Sequence, residues 1–112
     1  MKLEERTTGD VTIIKVTGDI TLNAGADVLL KDKIQSLLQQ GRKKILLDLG
    51  AVAYVDSAGL GQLVQSHVTT QRAGGSLKLL SLTKRLNDLL VLTKLATIFD
   101  SYDTEDAALQ SF

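Results

Sequence analysis

Residues 44–68, KILLDLGAVAYVDSAGLGQLVQSHV, decide the fold. The segment opens on Ile45, Leu46 and Leu47 and continues past Asp48 to Leu49, an apolar run of the kind that forms a strand covered on both faces. A short loop follows. From Leu60 onward the apolar residues Leu60, Leu63, Val64 and Val68 recur at helical spacing, and Asp56 and Ser57 stand immediately ahead of Ala58 and Gly59. The reading is strand, loop, capped helix. Such a unit holds the side chain at the helix start on the molecular surface, beside backbone N–H groups without intrahelical partners and the positive end of the helix dipole. Ser57 is therefore the first candidate for a functional side chain.

Upstream, residues 2–8 and 11–17 form two strands around a Gly9-Asp10 turn, with Val11, Ile13 and Leu3 facing inward. Gly18-Asp19 ends the second strand or interrupts it before Ile20. Thr21 or Asn23 then caps a first helix whose stripe is Ala26, Leu29, Leu30, Ile34, Leu37 and Leu38. Gly41 stops that helix, and Arg42, Lys43 and Lys44 read as a solvated helix end. Downstream, Gly74-Gly75 marks the next stop and Leu77, Leu79 and Leu80 a further strand. Thr83 caps a third helix with an inward stripe of Leu86, Leu89 and Leu90. A loop near 93–96, a short strand around Thr97 to Phe99 and a last helix capped by Thr104 complete the chain. Alternating strands and helices of this kind predict an α/β sheet with helices packed on it and right-handed crossovers between parallel strands.

Composition narrows the function classes. A chain of 112 residues suits a single domain spanning 1–112. Thirteen basic and thirteen acidic residues leave no net field to attract a polyanion, so nucleic acid is a poor partner. No run reaches the 18 or so apolar residues of a membrane span, so membrane insertion is not expected. The first ten residues have no apolar signal segment, which points to the cytoplasm. The lack of cysteine removes disulfides, thiolate metal sites and cysteine nucleophiles together.

Catalytic readings fail on spacing. Ser57 ahead of Ala58-Gly59 evokes a nucleophile on a strand-to-helix turn, but Val55 replaces the first glycine of G-x-S-x-G. The only histidine, His67, lies ten residues along the same helix, about 15 Å from Ser57 at 1.5 Å per residue. A base must sit within about 3 Å of its nucleophile, so the two form no dyad. His67 instead falls between Leu63 and Val64 on the inner stripe, as a partly buried, hydrogen-bonded structural residue. Gly59-x-Gly61 lacks the third glycine of a dinucleotide fingerprint, no P-loop occurs, and one histidine with scattered carboxylates offers no metal-ligand spacing. What survives is Asp56-Ser57 at an exposed helix start. The pair can simply cap the helix, Ser57 included, or Ser57 can accept a phosphate, which adds about 1.5 to 2 negative charges beside Asp56.

These segments resemble the STAS domain family, and within it the stand-alone anti-sigma factor antagonists. The resemblance is carried by Val16-Thr17-Gly18-Asp19-Ile20, by Ile45 to Leu49, above all by Tyr54-Val55-Asp56-Ser57-Ala58-Gly59-Leu60-Gly61, and by Gly74-Gly75 and residues 93–99. It implies the STAS fold, a mixed, mostly parallel sheet of about five or six strands with four helices. It also implies a non-enzymatic module without cofactor or metal of its own. In similar proteins the serine after the aspartate is phosphorylated by a partner that is both a serine kinase and an anti-sigma factor. The unmodified protein binds that partner and frees a sigma factor, and a phosphatase reverses the modification. Carried over, Ser57 is the phosphoacceptor, ATP belongs to the kinase, and Asp19, Thr21, Asn23, Asp56, Ser57, Ala58 and Gly59 form the partner-binding surface. The family pattern usually has a second serine where this chain has Ala58, and often an acidic residue where it has Thr21. Other members serve in stress-signalling scaffolds or lipid-transport complexes, the alternative reading in which Ser57 is only a structural residue.

Overall fold

The computed structural model describes residues 1–112. Strands β1 (Lys2–Thr8) and β2 (Val11–Thr17) form an antiparallel hairpin around Gly9-Asp10. Helix α1 (Ala26–Gln39) leads to β3 (Lys44–Ala51), α2 (Ser57–Arg72), β4 (Ser76–Leu80), α3 (Lys84–Leu92), β5 (Ser101–Tyr102) and α4 (Glu105–Gln110). The five strands lie in chain order, and every pairing after the first is parallel. This is the α/β sheet that the alternation predicts, in the mixed, mostly parallel form with four helices that the resemblance implies.

Burial explains the central run. Ile45, Leu46, Leu47 and Leu49 are fully buried because β3 is covered on both faces. Ile45, Leu47 and Leu49 join the main core with the inner stripes of α1, α2 and α3. Leu46 faces the other way, into a smaller cluster with Val11, Ile13, Leu80 and Ala108 of α4. Three helices thus cover one face and a single short helix the other. Val11 and Ile13 point to the α4 side, whereas Leu3 packs with Ile14 and Val16 in the main core, so the three do not share one inward face.

Three local expectations change. Helix α1 is capped by neither Thr21 nor Asn23: its N-cap is Gly25, because Thr21 builds the preceding turn, its Oγ1 accepting from Ala24 N–H at 3.2 Å and its carbonyl from Ala26 N–H at 3.1 Å. The α1 stripe is also narrower than its spacing suggests, since Leu29 is exposed. The last strand is Ser101–Tyr102 rather than residues 97–99. Those three residues instead continue the chain reversal that ends α3. In that reversal Leu95 N–H reaches the Leu90 carbonyl, Lys94 N–H the Val91 carbonyl, and Lys94 takes a left-handed φ of 62°.

Candidate functional site

The site is built where two segments meet, beyond the carboxyl ends of β2 and β3. After β2 the chain passes through Ile20, which forms an isolated parallel bridge with Val55 beyond the end of β3. Ile20 N–H donates to the Tyr54 carbonyl at 3.0 Å, and Asp56 N–H donates to the Ile20 carbonyl at 3.3 Å. The loop carrying Asp19, Thr21 and Asn23 is thereby tied to the start of α2. Gly59 makes this possible: a Cβ there would stand 1.9 Å from the Ile20 carbonyl oxygen, so only glycine admits the approach. Gly61, by contrast, faces open space, and the G-x-G spacing therefore reflects packing at one position only.

Asp56 clasps the two segments together. Its Oδ1 accepts from Gly59 N–H at 2.7 Å, which makes it the N-cap of α2, and its Oδ2 accepts from Leu22 N–H at 3.1 Å across the loop. These bonds, Gly59 first and Leu22 second, hold the carboxyl below the usual carboxylate range because both favour the charged form. Ser57 is not the cap. It is the first residue of the helix, exposed, and its hydroxyl is engaged by no other group of the chain. The N–H at that position has no intrahelical acceptor, and the hydroxyl, exposed and without a partner, is available to chemistry from outside.

Asp19 and Asn23 are exposed, Thr21 and Ala58 partly covered, and Gly59 buried. The structure thus brings the loop 19–23 and residues 56–59 into one surface, with Gly59 as its hidden joint. Beside Ser57 opens a cleft of about 470 Å³ between the start of α2 and helix α3. Its walls include Tyr54, Leu60, Leu89 and Leu92, together with Asp56, Arg85 and Asp88. Leu92 is 80% exposed and Tyr54 50%, so the apolar floor is open to solvent. Sequence reading did not find this cleft. The one local signal was the run Val91-Leu92 at the end of α3, apolar residues off the inward stripe.

His67 lies away from this surface, partly buried, with its ring edge-on to Phe99 at 5.3 Å between centroids. It is not hydrogen-bonded as expected: its buried Nδ1 has no partner in the chain. No group of three or more His, Cys, Asp or Glu side chains is arranged to hold a metal ion, and no helix is long and apolar enough to cross a membrane.

Known proteins match this architecture along nearly the whole chain. The family model of the STAS domain matches residues 2–108. The anti-sigma-B factor antagonist of Bacillus subtilis is 31% identical over 107 residues, covering 90% of this chain and 97% of its own. A crystal structure of a candidate anti-sigma factor antagonist from Thermotoga maritima superposes with a TM-score of 0.89 at 28% identity, covering 97% of this chain and 92% of that one. The anti-sigma factor antagonist SpoIIAA shares the fold in its unphosphorylated form, at a TM-score of 0.73, 18% identity and coverage of 98% and 96%. In its phosphorylated form the values are 0.74, 17%, 99% and 100%. With the STAS model matched over residues 2–108 and a relative 31% identical across 90% of its length, the chain belongs to the STAS domain family and is similar over nearly its full length to anti-sigma factor antagonists.

Proposed function

We propose that this protein is an anti-sigma factor antagonist: a non-enzymatic binding module of the cytoplasm, switched by phosphorylation of Ser57. Its partner is an anti-sigma factor that is also a serine kinase, bound through Asp19, Thr21, Asn23 and residues 56–59. The observation that carries this reading is Ser57 itself, exposed at the first position of α2 with a disengaged hydroxyl, while Asp56 alone does the capping. The similarity to a named antagonist in Bacillus subtilis and the existence of SpoIIAA in a phosphorylated form within the same fold support it.

The chemistry needs little from this chain. The Ser57 Oγ attacks the γ-phosphorus of ATP held by the kinase, the bond to the bridging oxygen breaks, ADP leaves, and the hydroxyl proton passes to a base of the kinase. The product carries about 1.5 to 2 added charges in the middle of the docking surface, beside an already ionised Asp56. The added charge repels acidic groups of the partner and makes burial against its apolar groups costly in desolvation, so the complex parts and the kinase returns to its sigma factor. A phosphatase restores the hydroxyl. The test is incubation with the cognate kinase and ATP followed by peptide mapping. One phosphate on Ser57 is the expected product, and phosphate on Ser66, Ser76 or a threonine would overturn the assignment.

A further inference from the structure

Arg85 shares the cleft with Ser57 and is its only cation, and it is used by nothing else in the fold. It lies in the first turn of α3, next to Lys84, where a helix favours anions because the positive end of its dipole is there. That turn has no acidic residue, and neither Lys84 nor Arg85 makes an ion pair, even though Asp88 follows Arg85 by three residues on the same helix. Two cations at the wrong end of a helix, without an anion to compensate them, break a local rule of the kind that function overrides.

The other charges around the cleft show what Arg85 lacks. Asp56 is already committed to two backbone N–H groups, from Gly59 and Leu22. Asp88 carries a single charge, and the structure does not pair it with Arg85. A phosphate on Ser57 would be a dianion, whose oxygens match the planar fork of a guanidinium in two parallel hydrogen bonds.

We propose that Arg85 receives the phosphate placed on Ser57, swinging across the mouth of the cleft and covering its apolar floor of Tyr54, Leu60, Leu89 and Leu92. This rests on the phosphorylation switch proposed above and deepens it. Phosphorylation then acts twice, by adding charge to the docking surface and by closing the cleft beside it. The unmodified protein alone offers the open floor to a partner.

The experiment places phosphoserine at position 57 during translation, so no kinase is involved, and follows the ³¹P resonance against pH. Phosphate ionisation is compared in the otherwise unchanged chain, in Arg85→Gln and in Arg85→Lys. Asp56 and the α2 terminus act equally in all three, so the difference isolates the side chain at 85. Arg85→Gln should raise the second ionisation by about half a pH unit or more, with Arg85→Lys between the two. The Arg85 Nε–H resonance of the unsubstituted chain should also shift when the phosphate is present. Superimposable titrations, with circular dichroism showing all three proteins folded, would overturn the role of Arg85 and leave the switch at Ser57 standing. A kinase that leaves Ser57 unmodified would overturn the switch itself, and with it the role of Arg85, whatever the titrations show.

Discussion

The carbonyl oxygen of Ile20 occupies the space that a side chain at Gly59 would need, 1.9 Å from where its Cβ would be. That contact joins the loop after β2 to the helix that presents Ser57. Gly59→Ala should push the two apart and destabilise the protein by several kcal/mol, as overpacking against backbone does at its upper end. Gly61→Ala, in the same turn but facing open space, should instead stabilise by about 0.5–1 kcal/mol through helix propensity. Urea denaturation of the pair checks both signs at once.

Asp56 links stability to pH. Its folded-state ionisation is depressed by the N–H groups of Gly59 and Leu22, so the unfolded chain binds the proton more readily than the folded one. The stabilisation is present above the ordinary carboxylate value and is lost as pH falls through the lower folded value. Asp56→Asn should therefore be less stable than the parent at neutral pH, and the gap should narrow in acid. Denaturation midpoints measured from pH 7 down to about pH 2 would show it. A gap that stayed constant or widened in acid would contradict the clasp.

Lys94 pays for ending α3 with a left-handed backbone that L side chains avoid. The equivalent position after α1 is Gly41, with φ 77° and the same pair of closing hydrogen bonds. Lys94→Gly should raise stability by up to about 1 kcal/mol, read as a higher urea midpoint at unchanged slope.

What was legible in the sequence is what local chemistry determines. The hairpin boundaries 2–8 and 11–17, the buried run Ile45 to Leu49 and the caps Thr83 and Thr104 all depend on residues within one turn or one strand of each other. The misreadings share a different cause. Asp56 and Ser57 are both good capping residues, and only the placement of Gly59 N–H, three positions after Asp56, selects the first. Thr21 carries a cap signal but spends it on the turn before Gly25, a turn tied from outside by the bond between Leu22 and Asp56. Residues 97–99 have strand-like composition, yet the two-residue edge strand is set by its pairing with Leu79 and Leu80. The cleft is the extreme case, since Ser57 and Arg85 lie 28 positions apart and only the packed sheet brings their helices together.

The most direct measurement is a titration of Ser57→Ala and Ser57→Asp against one cognate anti-sigma kinase. Neither change removes a cap, because Asp56 holds that role, so both proteins should fold with nearly unchanged stability. Asp at the first helical position even suits the dipole. Ser57→Ala should bind as the unmodified protein does. Ser57→Asp, with a second carboxylate beside Asp56 in the docking surface, should bind at least about tenfold more weakly, the equivalent of about 1.4 kcal/mol. Equal affinities for two folded proteins would contradict the switch at Ser57 and leave a binding scaffold in its place.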